Sequence, residues 1–409
     1  MSINKTKQLV VIGGGAAGFF AAISCAEADP GCRVIILEKG KKVLQKVKVS
    51  GGGRCNVTHA CFDPRELVKN YPRGGKALLG PFNRFAPDGT VAWFYDRGVP
   101  LKTESDGRMF PVSNDSQTIV ACLLRAARQA GVKVLTGQNV AAISKDKQWE
   151  IRTQSGAVFM ADKVLVATGS SPRIWKILEK LGHHIIRPVP SLFTFNIEDQ
   201  RIKGLAGIAV PRAEVKVLGE KLAAEGPLLI THWGMSGPAV LKLSAWGARL
   251  LNAKDYAFEI SINWLGNGNT SAVFDFLKKT KMEQAKKRVA NFNPFPTLPK
   301  RLWERLLFAS AIDRNLRWAD LPKKKSNKLG QQLTGGIFKV NGKSTFKEEF
   351  VTAGGVDLDE IDFRKFESKI LPGLHLAGEV LNIDALTGGF NFQAAWTGGK
   401  IAGEAMFND

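Results

Sequence analysis

The feature that most constrains the fold of this chain is a glycine-rich turn that follows a short apolar run. Residues 9–12 (LVVI) lead into residues 13–18 (GGGAAG), and an alanine-rich segment continues from there to Ala28. A second apolar run, residues 34–37, ends on Glu38, twenty residues after Gly18. Strand, glycine turn, helix and a second strand ending in a carboxylate form the βαβ fingerprint of dinucleotide-binding proteins.

Each residue of the fingerprint has a physical role. Gly13 permits the tight strand-to-helix turn, Gly15 lets the backbone approach a pyrophosphate, and Gly18 lets helix and strand pack closely. The helix that begins near Gly15 directs unpaired amides and the positive end of its dipole at the phosphates. Glu38 stands where a ribose hydroxyl needs an acceptor. The segment therefore predicts a bound dinucleotide.

Length and composition limit the class of protein. A chain of 409 residues predicts two or three domains, and 44% hydrophobic residues are ordinary for a soluble protein. The sequence has no apolar run of about 18 residues and no signal-peptide pattern, so we expect a cytoplasmic protein without a membrane partner.

His183 and His184 are adjacent and would diverge on a helix, so we expect no metal site there. The cysteines are odd in number and form no CxxC pair, so we expect reduced thiols and no structural metal. The cysteines are Cys25, Cys32, Cys55, Cys61 and Cys122.

The net charge of +21 is the unusual bulk property. Residues 275–328 hold 15 Lys and Arg against 5 Asp and Glu, a net +10, so about half of the excess lies in this segment. One interpretation is a solvated helical surface that keeps the protein soluble. The other is a surface for nucleic acid or an acidic partner, although no recognition motif with interleaved aromatic residues accompanies the lysines.

Two further glycine-rich segments stand out. Residues 50–56 (SGGGRCN) are not expected to form helix or regular strand, and three successive glycines indicate close approach of another group to the backbone. Residues 386–391 (LTGGFN) precede a C-terminal helix near residues 392–406. The amino end of such a helix stabilises the negative charge that the pyrimidine side of a flavin gains on reduction.

The remaining sequence predicts an α/β protein with an interruption. Helical patterns near residues 64–79, 87–96 and 116–130 precede strand-like runs up to residue 166. Beyond Pro188 the chain changes to short strand-like runs with frequent Gly and Pro, and residues 271–329 are helical and basic. Strand character resumes at residues 336–340, and the last sixty residues return to an α/β pattern.

These motifs resemble the flavoproteins of the glutathione-reductase superfamily, and more narrowly the HI0933-like, aminoacetone-oxidase family of NAD(P)/FAD-dependent enzymes. The resemblance spans nearly the whole chain. It rests on residues 50–56, residues 231–238 (THWGMSGP), residues 354–356, Gly378-Glu379 and residues 388–391. It implies that the dinucleotide is FAD.

The resemblance also implies which residues bind the cofactor. Gly13, Gly15, Ala16, Ala17 and Gly18 would face the pyrophosphate, Glu38 and Lys39 the adenosine ribose, and the backbone of Val140 the adenine. Thr168 and Gly169 match a turn packed near the cofactor. Gly378 and Glu379 stand where the superfamily has Gly-Asp near the ribityl chain, and Glu lengthens that reach by one methylene. The remaining cofactor residues expected are Ser50, Gly51, Gly52, Gly53, Arg54, Cys55, Asn56, Gly389, Phe390 and Asn391.

The fold implied is a split Rossmann-like FAD-binding domain, α/β in class, with an inserted β-barrel-like domain that itself carries a small helical insert. The pattern of the sequence independently agrees with this order. We expect the FAD-binding domain at residues 1–188 and 353–409. The β-rich domain is expected at residues 189–270 and 331–352, with the basic helical insert at 271–330.

The expected function is two-electron transfer at flavin N5 to or from a small molecule. Since no second GxGxxG follows a strand, reduction would come from the substrate or from NAD(P)H bound transiently over the flavin. Relatives in the family suggest amine oxidation with oxygen or reduction of a conjugated double bond. The alternatives are a flavoprotein that binds or modifies RNA through its basic insert, and a flavin-binding protein without activity.

Three side chains have more than one interpretation. His232 could handle a substrate proton or make a structural hydrogen bond. Cys55 could meet the flavin as a thiol, form a redox-active disulfide, or be required for its small size. Arg54 could pair with a cofactor phosphate or with a carboxylate that shapes its loop.

Overall fold

The computed structural model describes residues 6–266, 270–344 and 351–407. The chain forms two compact units, one from Met1–Val189 with Lys347–Asp409 and the other from Pro190–Phe346. The second unit is therefore an insertion in the sequence of the first.

The first unit opens with ten strands and seven helices. The strands are β1 (Gln8–Ile12), β2 (Arg33–Leu37), β3 (Thr58–His59), β4 (Leu101–Thr103), β5 (Arg108–Pro111), β6 (Lys133–Leu135), β7 (Val140–Lys145), β8 (Trp149–Thr153), β9 (Val158–Ala161) and β10 (Lys163–Val166). The helices are α1 (Ala16–Ala28), α2 (Gln45–Gly53), α3 (Pro64–Leu67), α4 (Gly75–Arg84), α5 (Pro87–Tyr95), α6 (Ser116–Gln129) and α7 (Pro172–Lys180).

The helix expected near residues 64–79 is divided in two. Helix α3 runs into a 3₁₀ turn at Val68–Asn70, and α4 begins only at Gly75. The division occurs at Tyr71, whose extended backbone (φ −112°, ψ 96°) precedes Pro72. A residue before proline is sterically excluded from the helical region, which explains the break.

The inserted unit follows. Its strands are β11 (Ile185–Ser191), which crosses the boundary, β12 (Thr194–Asn196), β13 (Ala209–Val217), β14 (Ala223–Ile230), β15 (Gly234–Ser236), β16 (Ala257–Asn263), β17 (Gly336–Asn341) and β18 (Lys343–Ser344). Its helices are α8 (Pro238–Trp246), α9 (Ala248–Ala253), α10 (Thr270–Glu283), α11 (Lys300–Ala309) and α12 (Lys323–Gly335).

The chain then returns to the first unit. This last part contains β19 (Val351–Val356), β20 (Ile361–Asp362), β21 (Glu367–Ser368), β22 (Leu374–Leu376) and α13 (Phe390–Glu404). Strand β19 pairs with β11, so the chain leaves and re-enters through a two-stranded sheet.

The first unit is built on a seven-stranded sheet in the order β20-β21-β22-β10-β1-β2-β6. Strand β1 lies between β2 and β10, and all three run parallel, with Val10 opposite Ile35 and Val164. Residues 9–11 are fully buried, as expected for a parallel strand covered on both faces. This arrangement confirms the predicted Rossmann-type α/β fold.

The inserted unit contains a seven-stranded sheet in the order β17-β16-β13-β14-β15-β12-β18. Its two end strands, β17 and β18, follow one another in the chain and are joined at Gly342. The Gly342 amide donates to the Tyr256 carbonyl, and its carbonyl accepts from the Asn196 amide (3.0 Å). The sheet therefore curves round until its two ends meet at one residue, which gives it a barrel-like form.

Helices α1 and α13, from opposite ends of the chain, pack directly on one another. The contact depends on small residues of α13. A side chain at Gly399 or Gly403 would lie 2.7 and 2.4 Å from the carbonyl oxygens of Ala17 and Ala21. This helix–helix contact, which we call the seam, places the first turn of α1 beside α13. Within the described residues, no helix is long and apolar enough to span a membrane.

Candidate functional site

The fingerprint turn has the geometry that its glycines predict. Strand β1 ends at Ile12 and α1 begins at Ala16, with Gly15 as the N-cap and no side-chain cap or acidic residue in the first turn. A Cβ atom on Gly18 would lie 2.0 Å from the Gly13 carbonyl oxygen, so only glycine fits there. The amides at the start of α1 are therefore left for an anionic ligand.

The Glu38 carboxylate lies against this turn. Its Oε2 accepts from the Gly14 amide (2.9 Å), and its Oε1 accepts from the Gly40 amide (2.7 Å). The Gln138 amide donates to the Glu38 carbonyl (2.8 Å), which brings the chain leading to Val140 beside the same residue. Lys39 is exposed. Each carboxylate oxygen keeps a second lone pair for a ribose hydroxyl.

Residues 50–56 form the irregular loop that their composition predicts. Although α2 extends formally to Gly53, Ser50 has an extended backbone (ψ 153°), and Gly51 and Gly52 are left-handed. Arg54 donates to the Glu104 carboxylate (2.6 Å) and stacks over the Phe110 ring at 4.0 Å. Of the two partners considered for Arg54, the carboxylate is the one that it contacts in the structure, and it belongs to Glu104.

Asn56 connects this loop to the amino end of α13. With the side-chain amide oriented to satisfy its neighbours, its oxygen accepts from the Gly389 amide (3.0 Å) and its nitrogen donates to the Thr58 carbonyl (3.0 Å). Gly389 has φ 92°, and a Cβ there would lie 2.5 Å from the Thr58 carbonyl oxygen. Helix α13 then begins at Phe390 with neither a side-chain cap nor an acidic first turn.

The other expected cofactor residues occupy the same region. Gly378 lies against α1, since a Cβ on it would be 3.3 Å from the Ala17 Cβ. Gly169, in the turn after β10, lies near Glu379, which pairs with Lys46 of α2 (2.7 Å). The site thus runs from the fingerprint turn past residues 169 and 378 to residues 50–56 and 389.

These residues suit an extended dinucleotide such as FAD. Two uncapped helix amino ends, those of α1 and α13, belong to one unit and are linked by the contacts above. A Cβ on Gly15, Gly52 or Gly53 would meet no described atom within 4 Å. The residues present therefore leave their backbone open where a pyrophosphate and a flavin ring need it. The role of each residue toward FAD stays a prediction.

Several supporting residues were missed by the sequence analysis. The buried Gln393 side chain accepts from the hydroxyls of Thr58 (2.6 Å) and Thr90 (3.0 Å) and donates to the Thr397 hydroxyl (3.0 Å). The Tyr71 hydroxyl donates to the Phe390 carbonyl (2.6 Å). Nothing local in the sequence marks these residues, because their partners lie far away along the chain.

Cys55 is fully buried with φ 60°, and burial raises the pKa of its thiol to about 12. The thiolate is the nucleophilic form of cysteine, so burial disfavours reaction at this side chain. All five cysteines are free thiols, and the two sulfurs in contact are those of Cys25 and Cys32 (3.6 Å). This geometry favours the interpretation that small size is what the loop requires of Cys55.

His232, the candidate proton-handling residue, lies in the inserted unit. It is exposed and lines a cavity of about 610 Å³ together with Thr231, Asp199, Gln200, Lys203 and Arg301. The Thr231 hydroxyl oxygen is shielded from solvent and has no hydrogen-bond partner in the described structure.

The paired histidines have structural partners. His183 Nδ1 lies 2.7 Å from the Glu360 carboxylate, and His184 Nδ1 lies 3.0 Å from that of Asp357. The described part of the chain holds no cluster of three or more residues able to bind a metal ion.

Comparison with known proteins identifies the family. A model described as "HI0933-like protein Rossmann domain" matches residues 7–405. The ribosomal RNA dihydrouridine synthase of Escherichia coli is 29% identical over 404 residues, which are 95% of each chain. The 3-dehydro-bile acid delta(4,6)-reductase of Clostridium scindens is 28% identical over 97% of this chain and 98% of its own.

Solved structures share the fold. The 3-ketosteroid-delta4-(5alpha)-dehydrogenase of Rhodococcus jostii aligns with a TM-score of 0.52 at 14% identity, over 100% of this chain and 99% of its own. A flavocytochrome c3 fumarate reductase aligns with a TM-score of 0.50 at 15% identity, over 99% of this chain and 78% of its own.

Proposed function

The chain belongs to the HI0933-like family of FAD-dependent oxidoreductases, and on this premise we propose that it reduces a carbon–carbon double bond conjugated to a carbonyl group. The reaction transfers a hydride to the carbon distal to the carbonyl and a proton to the adjacent carbon. NAD(P)H, bound transiently, is the proposed source of the electrons.

The observation that carries this proposal is a reaction common to two relatives with unlike substrates. One is named for making dihydrouridine in ribosomal RNA, and the other for reducing delta(4,6) bonds of a 3-dehydro-bile acid. The double bond of uracil and that of a 3-oxo-4-ene steroid are both conjugated to a carbonyl. Hydride addition to such a bond is favourable because the carbonyl oxygen takes up the negative charge that develops.

FAD, when bound and reduced, supplies the hydride. The fingerprint turn at residues 13–18 would hold its pyrophosphate, and Glu38 would accept from its ribose. The uncapped amino end of α13 would stabilise the negative charge of the reduced flavin, held in place by the Asn56–Gly389 contact. These residues bind and orient, and none of them needs to transfer a proton.

We assign the proton to His232. It is exposed and lines the polar cavity of the inserted unit. Imidazole is the side chain best suited to donate a proton near neutral pH.

The proposal is tested by mixing the anaerobically reduced holoenzyme with candidate acceptors in a stopped-flow instrument. Reoxidation of the flavin by a 3-oxo-4-ene steroid or by a uridine-containing RNA, with a product that has gained two hydrogens by mass spectrometry, is the expected result. Reduction of the oxidised enzyme by an amine, with no reoxidation by either acceptor, would instead establish amine oxidation.

His232→Gln tests the proton donor separately. We expect it to slow product formation by about 10²–10⁴-fold, the usual contribution of a general acid, while NAD(P)H still reduces the flavin at the wild-type rate. Equal product formation by the variant and the wild type would exclude His232 from proton transfer.

Uracil in RNA is the second candidate acceptor, because of one specific observation. The chain has a net charge of +21, about half of it in one 54-residue segment, whereas the carboxylate of a bile acid is a single negative charge. Comparing the two acceptors in the stopped-flow assay at low and moderate salt separates the candidates, since only RNA turnover should fall steeply with ionic strength.

A further inference from the structure

The basic segment of the inserted unit folds so that charges distant in sequence meet on one surface. Residues 285–289, which follow α10, run antiparallel to residues 316–319. The Val289 amide donates to the Leu316 carbonyl, and the Trp318 amide donates to the Lys287 carbonyl, both at 2.9 Å. This pairing fixes which basic side chains are neighbours.

The pairing places Arg288 directly opposite Arg317 in an isolated antiparallel bridge. The two hydrogen bonds flank the pair rather than join it, so this is a non-hydrogen-bonded pair, in which opposite side chains lie closest. Like charges directly opposite one another are destabilising. Both arginines are exposed, and neither has a carboxylate within 4.0 Å among the described residues.

Further cations extend this surface. Lys286 and Lys287 adjoin the pair and are exposed. The Lys281 ammonium donates to the Leu321 carbonyl (2.7 Å), which ties the end of α10 to the chain immediately before the exposed Lys323 and Lys324. Exposed cations from three segments thus lie in or next to this pairing along the chain, and we call them together the cationic face: Lys286, Lys287, Arg288, Arg317, Lys323 and Lys324.

Nearby carboxylates do not neutralise the face. Glu283 pairs with Lys279 (3.6 Å), and Glu304 pairs with Arg314 (3.5 Å). Asp313 and Asp320 lie within four positions of Arg317 in the chain and are exposed, and the Asp313 carboxylate accepts from the Asn315 amide (2.8 Å). Six cations against these two carboxylates leave a net positive charge, and the pairing of Arg288 with Arg317 places like charges together at a cost.

An aromatic ring accompanies one of the cations. The half-buried Phe292 ring lies 4.4 Å from the Lys287 ammonium. Aromatic rings beside cations are typical of surfaces that bind unpaired nucleobases.

We propose that the cationic face binds the phosphate backbone of an RNA, with Arg288 and Arg317 acting together on phosphate. A guanidinium presents a planar pair of donors that matches phosphate oxygens, and an anion between two arginines removes their mutual repulsion. The inference rests on the proposed function, since RNA is the polyanion that carries a uracil double bond. It adds the surface that holds the RNA.

The test measures binding of a uridine-containing RNA hairpin to the holoenzyme by filter retention at several salt concentrations. The variant R288Q/R317Q/K286Q/K287Q removes four charges of the face. The matched control R128Q/K133Q/K147Q/K180Q removes four exposed charges from the other unit. We expect the first variant to bind at least about tenfold more weakly with a shallower salt dependence, and the control to bind within about twofold of the wild type.

A second variant, R288K/R317K, retains the charge and should keep the salt dependence of the wild type while losing part of the affinity. Equal losses in the four-charge variant and the control would overturn the proposal, because binding would then follow net charge alone. Binding to vesicles of anionic phospholipid but not to RNA would overturn it as well. Turnover of the steroid acceptor by all variants tests the proposed function independently, since that acceptor needs no cationic face.

Discussion

At the scale of single residues, burial decides the chemistry of His375 more than its neighbours do. This side chain is fully buried in β22, its Nδ1 donates to the Lys365 carbonyl (3.0 Å), and its Nε2 has no hydrogen-bond partner in the described structure. Burial lowers its pKa from 6.5 to about 4, helped by the charges of Lys163 and Lys365, although the hydrogen bond to the Lys365 carbonyl and the charge of Glu367 act in the opposite direction. The folded protein therefore holds a neutral imidazole.

This state makes stability depend on pH. Because the pKa in the folded state lies below that in the unfolded state, the unfolded chain takes up the proton first, and stability falls as pH drops from about 6.5 to about 4. We expect a loss of about 2 kcal/mol between pH 7 and pH 5 from this residue, measured by urea unfolding. His375→Asn should be less stable at pH 7 but lack this loss, and an unchanged pH dependence in the variant would contradict the assignment.

At the scale of elements, α13 is held in place by a buried polar network as well as by its seam with α1. Gln393 joins α13 to Thr58 of β3 and Thr90 of α5, and the Trp396 indole donates to the Val57 carbonyl (2.9 Å). A buried polar network of this kind specifies a position more sharply than apolar packing alone. It sets the amino end of α13 relative to residues 50–56.

Gln393→Leu should therefore affect both stability and cofactor binding. It leaves the Thr58 and Thr90 hydroxyls buried without their acceptor, at a cost of about 2–4 kcal/mol, and we expect weaker FAD retention on gel filtration. The control is the triple variant Gln393→Leu with Thr58→Val and Thr90→Val, which removes the orphaned hydroxyls and should recover part of the stability. A single variant as stable as the wild type would show that the network is not needed.

At the scale of the whole molecule, the proposed cofactor site unites segments 360 or more residues apart. The fingerprint turn comes from residues 13–18, and the other end of the site comes from residues 378–391. A ligand that contacts both must stabilise the first unit as a whole. Binding to the folded state alone raises stability by about 3 kcal/mol at a ligand concentration 100 times Kd.

We expect FAD to raise the melting temperature of the apoprotein, measured by calorimetry. ADP, which reaches only the fingerprint end, should raise it by less, and riboflavin alone should have little effect because it lacks the pyrophosphate. A larger increase with NAD⁺ than with FAD would show that the fingerprint serves a different dinucleotide.

The motifs whose meaning is local could be predicted from the sequence. The glycine turn, the carboxylate of Glu38 and the irregular loop at residues 50–56 follow from steric rules that act over a few residues, and the structure has each of them. The spacing of apolar residues and the amino-acid composition likewise predicted the Rossmann-type α/β fold. The break at Tyr71 was also local, and the rule for residues before proline accounts for it.

Only the tertiary structure decided which distant groups meet. Arg54 pairs with Glu104, fifty residues away, Asn56 with Gly389, and Arg288 faces Arg317. Side-chain type limits the chemistry of a partner but leaves its position open, because that position depends on how whole elements pack. The class of cofactor, and the backbone expected to receive it, could thus be predicted from local motifs and the family resemblance. The packing of α13 on α1, and of residues 285–289 beside residues 316–319, decided how the ends of the site and the cationic face are assembled.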